Sequence, residues 1–153
     1  IWNVRWMTRS ATAVTVSDSS AGSEVNKRQG GKEVIEHCDE IDKISGGQSI
    51  NMAGKLSIKQ SGALLSKALF LVANDSGPFH IARGVKCKTF VIFGPTSPAM
   101  FDFGENTVLI DKNIKCSPCS LHGDKECPQG HFDCMKQITG KEVFDTIENS
   151  VKI

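Results

Sequence analysis

Three short, nearly continuous apolar runs occupy the middle of the chain: "LFLVAN" (Leu69 to Asn74), "KTFVIFG" (Lys88 to Gly94) and "NTVLID" (Asn106 to Asp111). A strand with one wet face alternates polar and apolar residues. A strand buried on both faces does not, and such runs suit a parallel sheet inside an α/β domain. Helix signals lie between and around them. Ser57 followed by Gln60 has the spacing of a capping box, and Ile58, Leu64 and Leu65 can share one helix face. "GPFHIAR" after the first run reads as a helix start, with Ser76 at the N-cap and Pro78 in the first turn, where its missing N–H costs little. Thr139 and Glu142 form a second capping-box pair ahead of Val143, Ile147 and Val151 at helical spacing, with Phe144 beside them.

The first half is less sharply written. "ATAVTVS" (Ala11 to Ser17) alternates β-branched residues and reads as a strand. Polar loops are expected over Asp18 to Ser23 and Ile44 to Ser49, and a short strand near Ile50 to Met52. Glu24 to about His37 is read as a helix, interrupted by Gly30 and Gly31. Strands alternating with helices argue for an α/β domain with a mainly parallel sheet. At 153 residues the chain is one domain's length. A net charge of +1 supplies no field to recruit nucleic acid, and with no Tyr and only two Trp, stacking platforms for bases are scarce. No apolar run approaches the roughly 20 residues of a membrane span, and "IWNVRWMTRS" lacks a signal-peptide core. A first residue other than Met fits a fragment or a processed product.

The polar turn "NDSGPFH" breaks the apolar pattern. Ligands of parallel sheets bind beyond the carboxyl ends of the strands, where Asp75, Ser76 and Gly77 fall. A helix starting there aims unpaired N–H groups and the positive end of its dipole outward, which suits a phosphate. Gly77 admits a close approach, Ser76 adds a hydroxyl, and His80 lies one turn on, on the Ser76 face. The next strand ends in "GPTSP", so Gly94 and Thr96 are candidates for the same crevice. The plainer reading is an ordinary strand-to-helix turn with a cap and a packed histidine.

Taken together, "LFLVANDSGPFHIARGVKCKTFVIFGPTSP", the upstream "AGKLSIKQSGALLSKA" and the cysteine segment "CSPCSLHGDKECPQGHFDCMKQI" resemble the lipopolysaccharide heptosyltransferases, glycosyltransferase family 9. The likeness runs from about Asn51 to Ile153. It implies a GT-B architecture of two Rossmann-like domains, with this chain as the C-terminal, donor-binding one and the N-terminal acceptor domain absent. It also implies a nucleotide-sugar donor, ADP-heptose, and a lipid A–Kdo type acceptor held by the other domain, which would supply the catalytic base. Asp75, Ser76, Gly77, His80, Gly94 and Thr96 become donor-binding candidates. Glu24 is carried over as a donor contact near the nucleoside, although residues before Asn51 follow the family pattern poorly. No metal cofactor is required for transfer in this picture, because fixed N–H donors stabilise the charge developing on the departing diphosphate. The implied setting is the cytoplasm or the inner face of the bacterial inner membrane, with at most peripheral membrane association. The rival functions are a non-catalytic nucleotide- or phosphate-binding module of the same fold, and a zinc-stabilised interaction domain.

Four of the six cysteines, Cys116, Cys119, Cys127 and Cys134, crowd into nineteen residues of a loop spanning 112–136. Cys-x2-Cys is a common half-site for zinc, and two more thiols can complete a tetrahedron, with His122 and His131 as substitutes. Disulfides and reduced, packed thiols remain the alternatives. A cytoplasmic setting favours metal or thiols. Each reading makes the cysteines a brace for a long loop.

Overall fold

Successive residues of the central strands point into two different cores. The computed structural model describes residues 12–18, 23–44, 46, 49–123 and 126–151, with side chains from residue 27 onward. Its elements are β1 (Thr12–Asp18), β2 (Ser23–Gln29), α1 (Ile35–Ile44), β3 (Ser49–Asn51), α2 (Ile58–Leu65), β4 (Phe70–Asn74), α3 (Gly77–Gly84), β5 (Thr89–Ile92), β6 (Thr107–Ile110), α4 (Asp133–Lys136) and α5 (Gly140–Ser150). Leu71 and Ala73 of β4, with Val91 of β5 and Phe93 just beyond it, pack with Leu65, Phe79 and Ala82 of α2 and α3. Phe70, Val72, Phe90 and Ile92 face the other way, onto Met135, Val143 and Ile147 of α4 and α5. This two-sided burial is why the runs lack alternation.

The strands form one six-stranded sheet in the order β3-β2-β1-β4-β5-β6. β4, β5 and β6 are parallel, as are β2 and β3, whereas β1 pairs antiparallel with both β2 and β4. Five strands therefore point one way and β1 runs against them. The order is that of a doubly wound, Rossmann-like fold, whose ligand crevice lies beyond the carboxyl ends of the strands. The mainly parallel α/β class expected from the sequence is the one observed. Among the described residues no helix is long and apolar enough to cross a membrane.

One expected element is corrected. Glu24 to His37 is not a helix: residues 23–29 are β2, and the helix begins only after Gly30 and Gly31, through a 3-10 turn at Lys32–Val34. β2 is hydrogen-bonded on both sides, by β1 and β3, and the sheet overrides a local composition rich in helix formers. The glycine pair ends the strand instead of weakening a helix. Arg28 is buried by the same pairing and its Nε donates to Ser49 Oγ at 3.2 Å. Burial pulls the guanidinium pKa down, partly offset by Cys38 and Asp42. Parts of the two expected loops, residues 19–22, 45 and 47–48, lie outside the described residues, as does Ala11.

The capping signals hold to different degrees. Ser57 Oγ accepts from Gln60 N–H at 3.3 Å, and Gln60 Oε1 accepts from Ser57 N–H at 2.9 Å, a complete box at the start of α2. Thr139 Oγ1 accepts from Glu142 N–H at 3.2 Å, but the Glu142 carboxylate pairs with Lys112 Nζ at 2.6 Å. That ion pair ties the start of the cysteine loop to α5.

Candidate functional site

β4 ends at Asn74 and α3 begins at Gly77, so Asp75 and Ser76 form the entire turn. Ser76 holds the extended N-cap conformation, yet its side chain does not cap the helix. Its hydroxyl donates back to Asn74 O at 3.1 Å. The first hydrogen bonds of the helix run from Phe79 and His80 N–H to Ser76 O, at 3.0 and 3.4 Å. Pro78 has no N–H to offer, and the Gly77 N–H has no acceptor among the described residues. A Cβ built on Gly77 meets no atom within 4 Å. The glycine is thus not demanded by crowding inside the protein, and the space over the helix end is open.

Asp75 and His80 lie side by side at this opening, with Oδ1 and Nε2 3.6 Å apart. His80 is half exposed and Asp75 mostly covered. A carboxylate at a helix N-terminus is favoured by the dipole, and here it also faces the imidazole one turn along. The His80 ring is 5.4 Å from the Phe101 ring, which belongs to an aromatic cluster with Phe79, Phe93 and Phe103. The sequence reading missed Phe101, Phe103 and Arg83. Arg83 stands over the Phe79 and Phe101 rings, at 5.7 and 6.0 Å, and donates to Asp102 O, fastening the 101–103 segment beside α3. The only sequence signal was an aromatic pair, "FDF", shortly after "GPTSP".

The remaining candidates divide. Gly94 and Thr96 follow β5, the neighbour of β4, and both are buried. The bare face of Gly94 is already in use: an added Cβ would lie 2.2 Å from Met135 Sδ and 2.8 Å from its Cγ. Its glycine serves the packing of α4 against the strand end. Glu24 lies in β2, opposite Ser17 of β1, and its side chain is outside the described residues. Carried through the β1–β4 register, its position is seven residues short of Asp75 along the sheet, about 23 Å at about 3.3 Å per residue. The structure does not bring Glu24 to the turn.

Residues 111–132 contain neither helix nor strand among those described. This loop folds back over the end of β5. Cys119 and Ser120 N–H both donate to Pro95 O, at 2.9 and 3.0 Å, and Ser117 Oγ donates to Gly94 O. Its three cysteines, Cys116, Cys119 and Cys127, and Cys134 at the start of α4 are all free of disulfides. Cys119, Cys127 and Cys134 line one pocket with Pro95, Ser120, Glu126, Pro128 and Phe132. Burial and then the nearby Cys119, Cys127 and Cys116 push the Cys134 thiol pKa up, whereas backbone N–H groups, that of Phe132 foremost, pull the Cys127 pKa down. Among the described residues no three His, Cys, Asp or Glu side chains stand as a ready-made metal chelate.

Comparison with known proteins places these features in a family. The family model of glycosyltransferase family 9 (heptosyltransferase) matches residues 21–130. Lipooligosaccharide heptosyltransferase 2 of Campylobacter jejuni is 35% identical over 130 residues, covering 80% of this chain and 39% of its own length. The chain thus spans about two-fifths of that relative. Among solved structures, E. coli ADP-heptose lps heptosyltransferase II superimposes with a TM-score of 0.61 at 20% identity, over 81% of this chain and 35% of that one. E. coli heptosyltransferase WaaC with ADP-2-deoxy-2-fluoro heptose gives 0.56 at 18% identity, over 79% and 31%. The family match takes in β2 to β6 and the turn after β4: the chain belongs to glycosyltransferase family 9, the heptosyltransferases.

Proposed function

We propose that this chain is the donor-binding half of a heptosyltransferase that builds the inner core of lipopolysaccharide, with ADP-heptose as its donor. The observation that carries the reading is the uncapped start of α3: an open helix N-terminus at the carboxyl end of a parallel strand, with Gly77 bare and Ser76 turned away from the cap. A relative solved with an ADP-heptose analogue supports the choice of ligand class. The diphosphate would sit over the Gly77 N–H, where the helix dipole and fixed donors stabilise negative charge. As the glycosidic bond to the donor breaks, charge gathers on that diphosphate, so donors already in place lower the barrier without reorganising. His80, held beside Asp75, would hydrogen-bond to a phosphate or sugar oxygen, and the Phe101 ring would wall the same opening. Thr96 stands one strand away as a further contact. The base and the lipid acceptor site would belong to the other domain of the GT-B pair. The work would take place at the cytoplasmic side of the inner membrane.

A thermal-shift titration tests this. ADP and ADP-heptose should raise the melting temperature, and UDP- and GDP-sugars should not; ligand at about a hundred times its Kd stabilises by about 2.7 kcal/mol. Gly77→Ala should leave the chain folded, since its new methyl group meets nothing, yet abolish the shift by filling the space over the helix end. A folded chain that answers to no nucleotide, or a Gly77→Ala variant that binds ADP like the parent, overturns the assignment.

A further inference from the structure

The donor reading leaves the cysteine loop without a task. A stretch of more than twenty residues with no element of its own is uncommon in a compact domain and needs something to hold it. Apolar packing holds mainly its two ends: Ile114 packs against the core at the start, Cys134 and Met135 are buried where the loop ends in α4, and Leu121 between them is exposed. What the loop does concentrate is sulfur. Three of its thiols wall a single pocket, and the fourth, Cys116, is the partner of Cys119 in the Cys-x2-Cys pair.

The backbone after Cys127 turns tightly. Gly130 N–H donates to Cys127 O at 2.9 Å, and Gly130 and Phe132 both take left-handed conformations, with φ of 73° and 58°. A bulky residue such as Phe rarely adopts that region, so the turn is held against a local preference. This turn sets Cys127 in the pocket wall beside Phe132 and Cys134.

His131 resolves into a supporting role. Its Nδ1 accepts from Asp133 N–H at 3.0 Å, which leaves the proton of a neutral ring on Nε2. Nε2 faces Cys116 Sγ at 3.9 Å. A nitrogen carrying its proton cannot ligate a metal, but it can donate to a thiolate that does. The ligand set is therefore all sulfur.

We propose that Cys116, Cys119, Cys127 and Cys134 bind one zinc ion, which clamps the cysteine loop onto the end of β5. The four sulfurs do not yet form a chelate as their side chains stand. Rotation about χ1 moves a thiol sulfur without moving the backbone, and three of the four already share a pocket. Binding converts four thiols to thiolates and releases four protons, giving a closed, tetrahedral, structural site. Pro95 is part of the pocket wall and accepts from Cys119 and Ser120 N–H, so the clamp bears directly on the segment between Gly94 and Thr96. This inference does not rest on the identity of the sugar donor.

The test uses the full chain, purified under reducing conditions and analysed for metal. One zinc per chain is expected. Chelator-stripped protein titrated with Co2+ should develop the thiolate-to-cobalt charge-transfer absorption and the intense visible bands of a tetrahedral sulfur site, and Zn2+ should bleach them. Cys134 is buried, so the variants that decide are Cys119→Ser, at an exposed position, and Cys127→Ser. Each should weaken cobalt binding at least tenfold while far-ultraviolet circular dichroism stays that of the parent. A folded chain that holds no zinc and develops no cobalt bands overturns the site. So does mass spectrometry showing these cysteines paired as disulfides, or a Cys119→Ser and Cys127→Ser pair that binds cobalt like the parent.

Discussion

Gly94→Ala isolates one packing contact that joins the β5 strand end to the cysteine loop. The new Cβ would lie 2.2 Å from Met135 Sδ and 2.8 Å from Cγ, against ordinary carbon contacts of about 3.5–4.0 Å. Both atoms must retreat by an ångström or so, which a small torsional adjustment does not supply. Met135 is only 8% exposed and sits in the core with Ile92, Cys134 and Ile138, so its alternative rotamers run into occupied space. Overpacking of this kind costs about 1–3 kcal/mol. Expelling the methionine entirely would forfeit about 1.5–3 kcal/mol of burial, so the two routes set the same range. In a chain of this length each kcal/mol moves Tm by about 2–4 °C. Urea denaturation followed by circular dichroism, with the m-value unchanged, measures the loss. In a Met135→Ala background the same glycine change should be almost silent, giving a coupling of about 1–3 kcal/mol. A Gly94→Ala protein within about 0.5 kcal/mol of its parent, or the same loss in both backgrounds, refutes the contact.

Two further outcomes follow from the geometry. Ser57→Ala removes one arm of the complete capping box of α2 and should cost about 1 kcal/mol in the same denaturation experiment, with ligand response unchanged; no loss would show that the box is not formed in solution. The buried thiol of Cys87, whose pKa burial pushes up to about 11, favours the protonated form in the folded state. Its contribution is full below about pH 9, where unfolded thiols keep their protons, and fades as pH rises through about 11. Stability measured across that interval should fall by about 2–3 kcal/mol less in Cys87→Ala than in the parent, and coincident pH curves would contradict the burial argument.

The legibility of this chain varies along its length for physical reasons. β4, β5 and β6 could be read from sequence because burial on two faces demands continuous apolar runs. The starts of α2 and α5 could be read because caps are local chemistry, and that of α3 because Pro78 suits only a first turn. β2 could not: "SEVNKRQ" carries no strand pattern, and what makes it a strand is hydrogen bonding to β1 and β3, of which β3 comes some twenty residues later in the chain. Arg28 and Gln29 are buried there against their own preference. The reversal of β1 is equally invisible, since alternation in "ATAVTVS" says nothing about direction. In the site, the turn residues Asp75, Ser76, Gly77 and His80 were visible because they interrupt an apolar pattern, whereas Phe101 and Arg83 look like ordinary surface or core residues.

By itself the sequence determined that two-sided strands would make an α/β sheet and that a polar, glycine-bearing turn would stand at the carboxyl end of one of them. It also determined that thiols would be concentrated in a single loop. Each of these is a matter of residue type and near-neighbour spacing. Tertiary structure alone decided what those residues do. It turned the Ser76 hydroxyl away from its helix, leaving the Gly77 N–H open. It assigned the two motif glycines opposite duties, Gly77 facing empty space and Gly94 receiving Met135. It also set Glu24 at the far end of the sheet. These outcomes depend on which distant segment fills the space beside a residue, and local spacing carries no record of that.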